Sequence, residues 1–132
     1  MVEDSFEAVC DRLSQAVDGA QFERMRWDRT EAPMLARLVE LLNAVLEVRP
    51  DFELLEEGAT AIVKRYVIKV HGIRTIAIAV TLKGREVVVY GEPIERSRYR
   101  LSDTSPVCGD YDLVDEAWMT KALELIFARV TG

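Results

Sequence analysis

The chain has 132 residues and a formal net charge of −6, with 49% hydrophobic and 30% charged residues. This composition is typical of a single globular domain over residues 1–132 and excludes a disordered chain. The acidic balance argues against non-specific nucleic-acid binding, which requires positive potential.

Two N-terminal helices are predicted, over residues 4–18 and 31–48. Each carries apolar residues at the 3,4 spacing of one buried helix face. The second begins near Pro33 and ends before Pro50, where the chain avoids the α region. The segment 20–33 suits a helical turn or a short strand equally, so we expect only a connection. The apolar residues of the first helix are Phe6, Val9, Cys10, Leu13, Ala16 and Val17.

From residue 51 to residue 101 the apolar period changes to two, which indicates β-strands. The short turn-like connections "EEG", "HGI", "KG" and "GEP" predict an antiparallel meander, because crossovers need longer loops. A loop at 102–112 and a helix at 113–130 complete the chain, with Asp112 as the helix cap. We therefore predict a two-layer α+β fold of order ααββββα. It has two N-terminal helices, one C-terminal helix and four to five strands: 51–56 (an edge fragment), 60–70, 73–81, 86–91 and 95–101.

Strand register decides which side chains share a face. A two-residue turn at His71-Gly72 mixes polar and apolar residues, so we favour a three-residue turn at 71–73 that pairs Lys69 with Thr75. A turn at Lys83-Gly84 follows, which pairs Val80 with Val87 and Ile78 with Val89. The predicted core face is Tyr66, Ile68, Ile76, Ile78, Val80, Val87, Val89, Tyr99 and Leu101. The opposite face is Arg65, Val67, Lys69, Thr75, Ala77, Ala79, Val88, Tyr90, Arg96, Arg98 and Arg100.

Charge is divided unequally along the chain, with −8 in residues 1–57, +6 in 58–101 and −4 in 102–132. The sheet is therefore predicted to carry a basic face opposite its core. Such charges commonly only protect sheet edges from aggregation. Alternatively, the arginines bind carboxylates or phosphates, both of which match the guanidinium fork. The candidate binding residues are Arg65, Lys69, Tyr90, Arg96, Arg98 and Arg100.

The sequence offers little for catalysis, and no catalytic residue, metal ligand or cofactor is predicted. Its one histidine, His71, falls in a predicted turn without an orienting partner. The glycine motifs that hold phosphates are missing. Acidic residues cluster after the last strand, but their spacing matches no calcium loop and helix capping accounts for most of them. They are Asp103, Asp110, Asp112, Asp115 and Glu116.

The favoured hypothesis is a non-enzymatic protein-binding module, such as a small acidic adaptor, chaperone or inhibitor, that forms a homodimer. The last helix is apolar over an unusually wide face, so Trp118, Phe127 and Val130 are the candidate interface residues. Two alternatives stay open: binding of an anionic ligand or single-stranded nucleic acid on the basic face, and metal-assisted catalysis by the acids. The acidic start, short apolar runs and isolated Cys10 and Cys108 predict a cytoplasmic protein without a membrane partner.

Overall fold

The computed structural model describes residues 5–132, which fall into two compact units that meet in sequence between Met34 and Leu35. The α+β class and the five-stranded antiparallel sheet agree with the sequence prediction. The helices are α1 (Phe6–Val17), α2 (Gly19–Arg29), α3 (Glu31–Glu47) and α4 (Glu116–Phe127), with a 3-10 turn at Tyr111–Leu113. The strands are β1 (Phe52–Glu56), β2 (Val63–Val70), β3 (Ile73–Lys83), β4 (Glu86–Pro93), β5 (Arg100–Leu101), β6 (Val107–Asp110) and β7 (Val130–Thr131).

The N-terminal unit consists of helices α1 and α2 followed by the start of α3. The Ser5 hydroxyl caps α1 by accepting a hydrogen bond from the Ala8 N–H at 3.1 Å. Asp18 joins the two helices: its N–H donates to the Ser14 carbonyl and its carboxylate accepts from the Gln21 N–H. Residues 20–33, expected only as a connection, are therefore mostly helical. Asp4, the predicted first residue of α1, lies outside the described residues.

The sheet of the second unit has the strand order β1-β2-β3-β4-β6, each strand antiparallel to its neighbours. The meander and the first four strands are thus confirmed. On one face, all seven predicted core residues of β2, β3 and β4 are buried, at no more than 9% exposure. They are Tyr66, Ile68, Ile76, Ile78, Val80, Val87 and Val89.

A β-bulge reconciles the two turns that the sequence allows for the first hairpin. Ile68 pairs with Ile76, as the three-residue turn requires, yet Lys69 pairs with Arg74 rather than Thr75. The turn is His71-Gly72, with φ of 51° and 75°, the positive values that a type I′ turn needs at both positions. Thr75 is the extra residue, and its hydroxyl donates to the Ile68 carbonyl at 2.7 Å.

The second hairpin also differs from the prediction, because its turn is Gly84-Arg85 rather than Lys83-Gly84. Lys83 pairs with Glu86, and only Gly84 has a positive φ, 63°, as in a type II′ turn. The register consequently shifts by two residues, so that Ile78 lies opposite Gly91 instead of Val89. A shift of two preserves the direction of every side chain, and the core face is unchanged.

The predicted strand 95–101 is wrong. Only Arg100–Leu101 forms a strand, and it pairs with β7 in a separate two-stranded sheet. The fifth strand of the main sheet is β6, from a segment predicted as loop, which pairs Val89 with Val107. The alternating arginines of 95–101 imitate a strand, but the left-handed backbone at Arg96, with φ of 64°, breaks the extended run.

Helix α4 and the part of α3 from Leu35 onward cover the core face. The ring of Trp118 lies over Gly109, and the Ile126 side chain lies over Gly91. The Arg37 guanidinium of α3 donates to the Val114 carbonyl at 2.7 Å, just before α4. The α4 cap is Asp115, whose carboxylate accepts from the Trp118 N–H, so the predicted cap Asp112 is wrong.

Candidate functional site

The sheet face opposite the core carries two ion pairs between arginines and carboxylates. The Arg65 guanidinium lies 3.5 Å from the Glu92 carboxylate and donates to the Glu57 carbonyl at 2.9 Å. Because Arg65 is on β2 and Glu92 on β4, this pair crosses the central strand β3. The small side chains of Ala77 and Ala79 leave the room for it, and both are fully buried. Arg65 is thus neutralised by the chain's own carboxylate.

A second ion pair lies beside the first. Both terminal nitrogens of Arg74 bind the Glu57 carboxylate, at 2.9 and 3.0 Å. These hydrogen bonds hold the pKa of Glu57 below its usual value and raise the pKa of Arg74. The bulge at Thr75 makes the pair possible, because it turns Arg74 to the face of Lys69 and Arg65. Sequence reasoning overlooked Arg74, since regular alternation places its side chain on the core face.

The three arginines at 96, 98 and 100 lie outside the main sheet and are all exposed. Their segment is anchored by Ser97, whose hydroxyl donates to the Thr75 carbonyl at 2.6 Å. The Arg98 guanidinium stacks on the ring of Tyr99, 5.5 Å from its centroid. Among residues 5–132, none of the three pairs with a carboxylate. They therefore form an exposed basic segment, which we call the arginine segment (residues 96–100).

The predicted basic face is thus divided into parts. Arg65 lies in the ion-paired centre of the sheet, whereas Arg96, Arg98 and Arg100 lie in the arginine segment. Lys69 and Tyr90 are half-buried on the sheet. In the strand register, Lys69 lies opposite Arg74 and Tyr90 lies opposite Ala79. Tyr90 is the single predicted aromatic on this face.

The three predicted interface residues make contacts within the chain. Trp118 packs so closely on Gly109 that its ring atoms lie 2.7–2.8 Å from where a Cβ would stand. The rings of Phe127 and Phe52 are 5.7 Å apart with a tilt of 42°. Val130 pairs with Leu101 in the small sheet. The wide apolar face of α4 is therefore largely used by the fold itself.

Helix α1 carries four large apolar side chains that are exposed. Phe6, Val9, Leu13 and Val17 are 80%, 46%, 65% and 78% exposed. We call these four residues the α1 stripe. Their spacing of 3, 4 and 4 places them on one side of the helix. The sequence identified the stripe but assigned it to the core, because an amphipathic period does not tell what covers the apolar side.

The acidic residues near α4 have structural partners. Asp110 caps the 3-10 turn, Asp112 pairs with Arg85, and Asp103 accepts from both the N–H and the hydroxyl of Ser105. Within the described part of the chain, no three His, Cys, Asp or Glu side chains lie close enough to hold a metal ion. His71 occupies the exposed hairpin turn, and Cys10 and Cys108 are unpaired.

No helix in residues 5–132 has the length and apolar character needed to cross a membrane. Comparison with family models, curated proteins and solved structures gave no match to the chain. Any functional assignment therefore depends on the residues described above.

Proposed function

We propose that this chain is a non-enzymatic protein-binding module that self-associates through helix α1. The observation that carries the proposal is the α1 stripe, four large apolar side chains that stay exposed along a capped helix. Contiguous exposed apolar surface is typical of a protein interaction site. The interface predicted on α4 stays a second prediction, because Trp118, Phe127 and Val130 have intramolecular contacts but are only half-buried.

The spacing of the stripe supports a second copy of α1 as the occupant. Phe6, Val9 and Leu13 fall on the a, d and a positions of a heptad, the pattern that packs one helix against another. Glu7 and Asp11 then fall on the b and f positions, away from the seam. Two acidic chains can therefore pair here without bringing these like charges together.

The expected affinity follows from the exposed area. A large aliphatic or aromatic side chain contributes roughly 1.5–3 kcal/mol when fully buried. Burying the exposed part of the four stripe side chains would then contribute about 5 kcal/mol per chain, or about 10 kcal/mol per dimer. Association itself costs about 4–15 kcal/mol. We therefore expect a dimer of roughly micromolar or weaker affinity rather than an obligate one.

Sedimentation velocity over a range of protein concentrations tests this proposal. Wild type should shift from monomer towards dimer, and Leu13→Glu should stay monomeric because it places a charge in the seam. Gln15→Glu is the matched control, since it adds the same charge on the opposite side of α1 and should still dimerise. An apolar seam also predicts a dimer that high salt does not dissociate. A monomer at every concentration, or equal effects of the two substitutions, would contradict the proposal.

The compartment and the partner of the protein are predicted together with this function. The free Cys10 and Cys108 support the cytoplasm as the compartment, because disulfides are rare there. The proposed partner is another protein, with a second copy of this chain as the form tested first. Nucleic acid is a weaker candidate because of the overall charge of −6.

The arginine segment supports one alternative, the binding of an anionic ligand or single-stranded nucleic acid. Its three guanidinium groups are exposed and have no carboxylate partner in residues 5–132. Only Tyr90 of the predicted platform supplies an aromatic ring, and Arg65 is already paired with Glu92. Fluorescence anisotropy with short RNA and DNA decides the matter. Binding that is lost on combined alanine substitution of Arg96, Arg98 and Arg100 would favour this alternative.

A further inference from the structure

An apolar pocket opens in the second unit, at the end of the sheet where the β2–β3 hairpin turns. Its volume is about 320 Å³. Strands β1, β2 and β3, the chain before β5, helix α4 and strand β7 all contribute walls, so the pocket is built from segments far apart in sequence. Its lining residues are Phe52, Ile68, Val70, His71, Ile73, Thr75, Ile76, Tyr99, Phe127 and Val130.

The β-bulge creates the mouth of this pocket. Without the extra residue Thr75, Ile73 would point to the opposite face of the sheet. With it, Ile73 joins Val70 and Ile76 in the lining and stays 51% exposed. The Thr75 hydroxyl is occupied by its hydrogen bond to the Ile68 carbonyl. The polar character of the pocket is therefore confined to a few groups, His71 and Tyr99 among them.

We infer that this pocket binds a small, uncharged, largely apolar molecule of one or two rings. Ligand pockets are usually about 300–1,000 Å³, mainly apolar and equipped with a few polar groups, as this one is. An apolar cavity of about 150 Å³ accommodates benzene, so about 320 Å³ has room for a fused pair of rings. The tilted rings of Phe52 and Phe127 supply an aromatic wall. Among residues 5–132, no carboxylate, lysine or arginine lines the pocket, which disfavours a charged ligand.

Indole is a suitable probe, because it has two fused rings and one N–H donor. Methyl NMR spectra of labelled protein, titrated with indole, should show shifts at Val70, Ile73 and Val130 in the pocket. The methyl groups of Val9, Leu13 and Val17 in the α1 stripe should stay unmoved. Shifts confined to α1 would overturn the inference, as would no pocket shifts up to the solubility limit of indole. Failure of self-association through α1 would leave these pocket shifts unaffected.

A charge at the mouth provides the second readout. Ile73→Glu should weaken indole binding about fivefold or more, because it removes apolar contact and adds a charge. Ile62→Glu is the matched control, since Ile62 is 55% exposed and precedes β2 at its other end. It should leave indole affinity unchanged. Equal affinities of the two variants would contradict an indole site at this pocket.

Discussion

The contact between Trp118 and Gly109 gives the sharpest test of how α4 packs on the sheet. A Cβ at position 109 would stand 2.7–2.8 Å from three atoms of the indole, where ordinary contact begins at 3.4 Å. Alanine in a strand is otherwise better than glycine by roughly 0.5–1 kcal/mol. Overpacking of this kind costs about 1–3 kcal/mol. We therefore expect Gly109→Ala to lower the free energy of unfolding by about 0–2.5 kcal/mol.

Urea denaturation followed by far-UV circular dichroism measures this change in every variant, because this signal does not depend on Trp118. The double-mutant cycle with Trp118→Leu isolates the clash from other effects of the alanine. In the Trp118→Leu background the indole is gone, so Gly109→Ala should become neutral or stabilising. The packing account fails if Gly109→Ala stabilises the wild-type protein, or if it costs the same in both backgrounds.

Two further stability predictions concern side-chain partners. Asp115→Ala removes the α4 cap and should cost about 1 kcal/mol in urea denaturation, whereas Asp112→Ala, at an exposed ion pair, should cost about 0.5 kcal/mol or less. The pKa of Glu57 is lower in the folded than in the unfolded chain, because Arg74 binds its carboxylate. The pair therefore stabilises the folded state at pH values above the unfolded pKa, and this stabilisation is lost as the pH falls through the folded pKa. Arg74→Met should accordingly lower the urea midpoint at neutral pH and change it little in acid; equal losses at both would refute the pairing.

Much of the fold follows from periodicity in the sequence. Alternation in β2, β3 and β4 was enough to assign the core face, because side-chain direction survives even the two-residue register shift at Gly84-Arg85. The strand predicted over residues 95–101 was wrong for a physical reason. Alternation is a property of side chains, whereas Arg96 shows that the backbone there leaves the extended region. Helix α2 was missed because it lacks an apolar stripe; it is capped by Asp18 and carries an exposed Glu23–Arg26 ion pair.

The candidate site was less predictable, since it depends on contacts between distant residues. The sequence placed Arg65 on the correct face but could not show that Glu92 reaches it across β3. The bulge at Thr75 has no clear sequence signal. It nevertheless places the side chains of Arg74 and Ile73 each on the face opposite to the one that regular alternation predicts. The α1 stripe was visible as a pattern, but only the structure shows that it stays exposed.

The location of the self-association surface is the most direct test of the proposed function. Isotope-filtered nuclear Overhauser spectra of a mixture of labelled and unlabelled chains detect contacts between copies only. We predict intermolecular contacts at the methyl groups of Val9, Leu13 and Val17. Intermolecular contacts confined to other surfaces, such as the Ile73 mouth of the apolar pocket, or the absence of any between copies, would contradict the proposal that α1 is the interface.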